Sequence, residues 1–394
     1  MSEFVEEGKW RTKYPSMFSA ARSLLGQALA GVELSRIAMP ADYFFPFSAL
    51  EIGAARTIGR PGYLVEMVEA ADDEAQMRAM VRWLLCGMPL QNLSKKPFNP
   101  IVGEVHDAYA EIDGHVAAYV AEQVSHHPPV FAYALTLDDP ATLRDEGHGQ
   151  FEVRFEGSNS VRLSVCGTHR ITVGDRVTYE FSRPAPDVLV SNVIFGTRSA
   201  RWDGAISIRS TSGWVAELSF ATHHKRSAEN TVLGTLRHAE SSVERRIAGA
   251  IGGKVYADAD VLFDWATVVA PRVLYPAPEH LDSLDSLVVW GPVAKHIVAD
   301  SIRVADSEKR LVEDAQRQRR RDRTDYAPRL FVPEHEEGYT PPPCDADPEA
   351  DSVIPPRYRF LAWERLTTAR RPHEYRTRAV YRDPVLEKQL SGPG

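Results

Sequence analysis

From residue 104 to residue 265 the chain is a succession of short apolar–polar alternations, each closed by Gly, Asp, Asn or Pro. No other feature limits the available folds so strongly. Side chains that alternate with period two suit a pleated strand with one face buried. The clearest unit is EVHDAYAEI, then Asp113-Gly114, then HVAAYVAEQV. Two alternating runs joined by Asp-Gly predict a tight hairpin. VFAYALTL, QFEVRFEG, VRLSVCG, RVTYEFS, DVLVSNVIFG, GAISIRS and WVAELSFA continue the series, and KVYADADVLFDW adds one late strand. Such close spacing favours one antiparallel sheet wrapped into a barrel or sandwich. There is no βαβ alternation and no internal repeat.

Helical periodicity brackets this region. Met17, Phe18, Ala21, Leu24, Leu25, Ala28 and Leu29 recur at helical spacing, with Ser16 placed to cap the start and Gly31 to end the last turn. The apolar stretch LSRIAMP follows. Residues 72–86 (DDEAQMRAMVRWLLC) open with acids and run apolar at helical spacing, which predicts a second helix. KKPFNPIVGE at 95–104 is broken by two prolines and reads as a loop. Residues 282–323 return to helix, TPPPCDADPEADSVIPP is an irregular linker, and LEKQLSGPG is a frayed tail.

A net charge of −8 argues against a global nucleic-acid or anionic-membrane footprint, so any contact with phosphate must be local. The three cysteines, Cys86, Cys166 and Cys344, are widely spaced and form no C-x-x-C. Free thiols in a reducing compartment are expected, and neither a disulfide framework nor a cysteine zinc site. No signal peptide opens the chain, and no apolar run approaches the roughly 18 residues of a transmembrane helix. A soluble, cytosolic protein is the expectation.

Three short segments carry chemistry. In EQVSHHPPV, His126 and His127 stand side by side before two prolines. Proline pushes His127 to an extended backbone, and adjacent extended residues face opposite ways, which makes a poor chelating pair for one metal. A histidine pair bonded to backbone, a metal site and a polar ligand contact at a strand end all remain open. An imidazole that meets an anion is drawn toward its doubly donating form. In KKPFNP, Lys95 and Lys96 supply point charges and Asn99 a neutral donor. In the late helix, Lys309, Glu313 and Arg317 are spaced four apart and share one face, with Gln316 and Arg320 close to it. Glu313 is placed to hold both cations while leaving donors free for a phosphate. Arg319, Arg320, Arg321 and Arg323 extend a basic patch suited to acidic lipid head groups.

Together, EQVSHHPP, KKPFNPIVGE and KRLVEDAQRQR resemble the three hallmark motifs of oxysterol-binding protein-related lipid-transfer proteins, in the family's order. The resemblance runs from about Leu34 to about Trp363. It implies an α+β, mainly β fold: an incomplete antiparallel β-barrel around an apolar tunnel, with an N-terminal helical lid and flanking C-terminal helices. The chain then divides into a flexible start (1–13), a lid (14–40) carrying Met17, Phe18, Leu24, Leu25, Leu34 and Ile37, a lipid-binding barrel (41–335), and an extension (336–394) with its proline-rich loop at 340–356. By motif match, Lys96, Asn99, His126, His127, Lys309, Glu313 and Arg317 form a head-group site for phosphatidylinositol 4-phosphate.

The implied function is lipid binding and transfer between membranes, with no cofactor and no metal. This lipid would be exchanged for a sterol or another phospholipid such as phosphatidylserine. A monomer resembling the family's short members is expected, cytoplasmic and peripheral at membranes and membrane contact sites. No added pleckstrin-homology domain and no clear FFAT motif are expected, EFVEEG and LFDWAT being poor matches. Two other readings stand beside it: a sensor that binds lipid without ferrying it, and a metal-dependent β-barrel hydrolase using His106, His126 and His127.

Overall fold

The computed structural model describes residues 39–58, 61–88, 95–126, 128–157, 159–193, 196, 199–220, 231–268, 273–276, 278–322, 327–334, 357–366 and 375–376. The expected lid residues Met17, Phe18, Leu24, Leu25, Leu34 and Ile37 and the loop 340–356 lie outside this set. So does His127.

A short strand β1 (Phe44–Ser48) leads into α1 (Ala49–Ile58), α2 (Pro61–Val68) and α3 (Asp73–Cys86). The Asp72 carboxylate caps α3 by accepting from Ala75 N at 2.8 Å, and Asp73 and Glu74 follow in the first turn, where the helix dipole favours acids. α1 and α2 were not anticipated. Lys96–Phe98, expected as loop, forms a strand β2 parallel to β1.

A 15-stranded sheet follows. Its members are β3 (Val105–Ile112), β4 (His115–His126), β5 (Pro129–Leu137), β6 (Leu143–Phe155), β7 (Ser160–Val173), β8 (Val177–Phe181), β9 (Asp187–Ser191), β10 (Ser199–Ser210), β11 (Trp214–Phe220), β12 (Thr231–His238), β13 (Glu244–Ala250), β14 (Lys254–Ala257), β15 (Asp260–Asp264), β16 (Val273–Pro276) and, at the far edge, β19 (Tyr375–Arg376). Consecutive strands pair antiparallel as a meander, with β9 bridging β7 and β10. The β3–β4 hairpin turns as expected: Asp113 (φ 46°) and Gly114 (φ 86°) both take the left-handed conformation that a two-residue turn of this twist demands. Two expectations fail here. KVYADADVLFDW is not one strand but the β14–β15 hairpin, turned at Asp258 (φ 53°), and β12 and β13 were missed.

The sheet is an incomplete antiparallel barrel. Its concave face and the inner helices form one apolar cluster, with Leu50 and Ile58 of α1 and Met77 and Met80 of α3 meeting Tyr119, Tyr133, Ile171 and Trp265. The convex face of β3–β5 is also apolar, because β17 (Phe331–Glu334) and β18 (Arg357–Phe360) pair with each other and lay Leu330, Phe331, Phe360 and Leu366 over it. The buried Glu122 carboxylate pins this cover by accepting from Arg329 N (2.8 Å) and Leu330 N (2.9 Å). Strands covered on both sides explain the nearly continuous apolar runs of β4 and β5.

The late helical region is three helices, α4 (Ser286–Val289), α5 (Gly291–Val298) and α6 (Ile302–Arg321), broken at Trp290 and at Asp300. Cys86 is a buried free thiol, whereas Cys166 is disulfide-bonded. The expectation of free thiols is corrected there, since sequence spacing cannot say which sulfurs a fold brings within the roughly 6 Å between Cα atoms that a bridge needs.

Candidate functional site

The parallel pairing of β1 with β2 sets Phe44 opposite Lys96. The Lys96 ammonium lies 5.0 Å from the centre of the Phe44 ring. Lys309, from α6, reaches the same ring at 5.2 Å. Behind Phe44 the aromatic groups continue as a stack: Phe98 at 5.5 Å, then Trp290 at 4.5 Å from Phe98, nearly parallel. A ring face attracts a cation by roughly 0.5–2 kcal/mol, so this platform partly offsets the cost of placing two ammonium groups close together.

α6 is held against the platform by Ala305, buried in the same cluster, and by Asp306, whose carboxylate accepts from Ala41 N at 2.7 Å. Lys309 is 5% exposed and donates to Glu313 at 2.6 Å. Arg317 stands 3.5 Å from the other oxygen of Glu313 and bonds Asp314 at 2.5 Å. Thus Glu313 fastens Lys309 firmly, and Arg317 leans mainly on Asp314 at the solvent edge. Lys96 is an exposed residue, yet its ammonium shares the Phe44 ring with that of Lys309. Loss of water around it, and then the Lys309 charge, push its pKa down to about 8, against the opposing pull of Glu313.

His126 ends β4, paired with Pro129 across the turn. Gly103 N donates to Gln123 O (2.9 Å) and Gln123 N to Glu104 O (2.8 Å). These bonds clip residues 103–104 alongside Gln123, three residues before His126 on the same strand. Of the expected site, the structure joins Lys96, Lys309 and Glu313 in one cluster with Arg317 at its rim. Arg319 and Arg321 are exposed at the end of α6. The Arg320 side chain and Arg323 lie outside the described residues.

Sequence reasoning missed Glu104, the last residue of KKPFNPIVGE. Its carboxylate is completely buried and accepts from Ser48, Ser286 (2.7 Å), Trp290 Nε1 (2.8 Å) and Ile101 N (3.0 Å). Burial still outweighs these donors and pushes its pKa up to about 7. The available signal was a lone acid at the end of the apolar run IVGEV.

Deeper in the barrel, Asp145 and His169 form a buried pair at 2.9 Å, the imidazole stacked on Phe181 at 4.0 Å. The phenol of Tyr119 nearby is pushed up by burial and then by the Asp145 charge. His106 is fully buried 3.9 Å from Asp285. It faces Ala121 on β4, five residues from His126, a separation of about 16 Å along a strand. These two cannot ligate one ion, which removes the three-histidine hydrolase site. Among the described residues, no group of three or more His, Cys, Asp or Glu is arranged to hold a metal, and no helix is long and apolar enough to cross a membrane. A separate cavity of about 490 Å³ on the convex face is lined by Arg144, Arg170, Arg359 and Trp363. Arg170 is paired with Glu180 (2.8 Å) and Arg359 with Glu334 (3.5 Å).

Comparison with known proteins bears on the family and the fold. A family model described as oxysterol-binding protein matches residues 23–291, which contain the first two motifs but stop short of Lys309. Oxysterol-binding protein-like protein OBPa of Candida albicans is 25% identical over 334 residues, 81% of this chain and 76% of its own length. Oxysterol-binding protein 10 of Dictyostelium discoideum is 24% identical over 75% of this chain and 78% of its own. The fold is similar to that of the Saccharomyces cerevisiae Osh3 ORD solved with PI(4)P, with a TM-score of 0.66, 20% identity, and coverage of 82% of this chain and 88% of that one. It is also similar to the Osh1 ORD domain solved with ergosterol, with a TM-score of 0.64, 19% identity, and coverage of 84% and 85%.

Proposed function

The chain belongs to the oxysterol-binding protein family, and from that premise we propose that it carries lipids between membranes without covalent chemistry. It extracts phosphatidylinositol 4-phosphate and exchanges it for a sterol or another lipid, such as phosphatidylserine, held inside the barrel. The observation that carries this reading is the convergence of Lys96 and Lys309 on one aromatic face. A phosphate leaving water loses more than it gains unless several charged donors receive it. Each lipid CH₂ left in water costs about 0.8 kcal/mol, so the acyl chains need the apolar interior. Asp145 and His169 give that interior one polar anchor, suited to a hydroxyl on an otherwise apolar ligand. Segment 14–40 serves as lid, and Arg319 and Arg321 meet acidic head groups as a monomer docks on the cytoplasmic face of its membranes.

The test is transfer between donor liposomes containing phosphatidylinositol 4-phosphate and acceptor liposomes without it. Wild type accelerates transfer, and the double variant His126→Ala/His127→Ala extracts this lipid at least tenfold less, the loss expected for even one bond to a charged group at about 1.5–3 kcal/mol. Equal extraction by the double variant would remove the histidines from the site. Binding without faster transfer would identify a sensor.

Lys96 adds a pH dependence. Its ammonium form predominates below about 8 and is lost as pH rises through that value. Affinity for the lipid is expected to fall above pH 8, by up to about tenfold per unit. A bound phosphate holds the proton and moves the midpoint upward. Lys96→Arg, which stays charged, is expected to flatten the profile between pH 8 and 10. An unchanged slope would mean that Lys96 does not meet the phosphate.

A further inference from the structure

Glu104 is in an expensive position. A fully buried carboxylate has lost its water, and an apolar side chain would hold most folds at lower cost. Its four donors come from distinct pieces of the chain. Ser48 closes β1, the strand that carries Phe44. Ile101 follows β2, the strand that carries Lys96. Ser286 opens α4, and Trp290 joins α4 to α5. Trp290 in turn stacks on Phe98, and α5 shares a hydrophobic cluster with Ala305 of α6, the helix that carries Lys309. A carboxylate has about four acceptor sites, so a single side chain saturates all of these donors at once.

Resting on the head-group reading above, we propose that Glu104 is the positioning residue of that site. It does not touch the lipid. Its carboxylate ties together the segments bearing Phe44, Lys96 and Lys309, and so sets the spacing of the two ammonium groups.

Three substitutions separate geometry from charge. Glu104→Gln can keep every bond. Its amide oxygen accepts from Ile101 N and Trp290 Nε1, while its NH₂ donates to the Ser48 and Ser286 hydroxyls, which also accept. Glu104→Ala orphans two buried N–H donors. Trp290→Phe keeps a ring against Phe98 and removes one donor, and so covers the case in which Glu104→Ala does not fold.

The first readout needs no lipid. Competitive acetylation with acetic anhydride from pH 7 to 11, followed by mass spectrometry, gives the midpoint of Lys96. It is expected near 8 in wild type and in Glu104→Gln. In Glu104→Ala and Trp290→Phe it is expected to move toward 10.5, the ordinary value, as the two ammonium groups separate and rehydrate. Lys309 and Glu313, not Glu104, are the charges acting on Lys96, and Glu104→Gln removes the Glu104 charge while keeping the bonds, so a rise confined to Glu104→Ala and Trp290→Phe reports geometry rather than charge. The second readout is pickup from phosphatidylcholine vesicles containing phosphatidylinositol 4-phosphate. Affinity is expected to fall about thirtyfold in Glu104→Ala and about fivefold in Trp290→Phe, and to stay within threefold in Glu104→Gln. A Lys96 midpoint unmoved in both Glu104→Ala and Trp290→Phe overturns the positioning role. No pickup by wild type, with the midpoints shifted as expected, sinks the lipid reading and leaves the tie between Glu104 and Lys96 standing.

Discussion

Lys309→Ala is expected to weaken extraction of phosphatidylinositol 4-phosphate about 100-fold while leaving the protein folded. Lys309 is 5% exposed and its ammonium meets the Phe44 ring and Glu313, so its contact with a phosphate would be shielded from solvent. A bond from a charged donor contributes about 1.5–3 kcal/mol. Its removal also leaves Glu313 facing the phosphate with one cation fewer, Lys96 and Arg317 remaining, and that repulsion adds to the loss. About 3 kcal/mol in all corresponds to two orders of magnitude. Stability is expected to fall by only about 1–2 kcal/mol, because truncation removes the Lys309 stem and leaves Glu313 without its nearer cation, while Glu313 is still partly exposed to water and within reach of Arg317. Arg317→Ala is the control. Its side chain is 57% exposed and already engaged by Asp314, so a loss of about threefold is expected. Liposome extraction with both variants, beside thermal melts, checks the pair. A Lys309→Ala protein that extracts within threefold of wild type would place the phosphate elsewhere.

Phe98→Ala is expected to cost about 3–5 kcal/mol of stability. Phe98 is fully buried and fills the space between Phe44 and Trp290. Truncation opens a cavity in the middle of the stack, whose neighbours are tied to Glu104 and cannot easily close over it. Phe98→Leu keeps most of the volume and is expected to cost about 1–1.5 kcal/mol. Urea unfolding measures both. Head-group binding should fall with the alanine variant even where the protein remains folded, because Phe44 loses the support that presents its face to Lys96 and Lys309. A cost below about 1 kcal/mol for Phe98→Ala would show that the stack is not packed as described.

Some of this was legible one residue at a time. The β3–β4 hairpin could be read because Asp113-Gly114 satisfies a rule confined to the turn itself. α3 could be read because its cap, its first-turn acids and its apolar period lie within fifteen residues. β12 and β13 escaped because their alternation is thin, with Val232, Leu236 and Ile247 the residues they bury. The β14–β15 turn escaped because Asp258 takes a left-handed conformation without a glycine to announce it. The three motifs supplied residue types suited to a phosphate, but not their arrangement. Arg317 faces Asp314 more closely than Glu313, and Glu104 went unassigned although it ends one of the motifs.

The sequence by itself determined the strand-rich middle, the helices with strong caps, and which basic and imidazole side chains were on hand. Each of these rests on forces that act within a few residues. Only the tertiary structure decided that Lys96 and Lys309 share the Phe44 ring, that β2 runs parallel to β1, that the outside of β4 and β5 is covered, and that Glu104 is sealed from water. These join segments far apart along the chain. Burial and charge act through space, and which distant groups meet is set by the closing of the whole sheet around its helices.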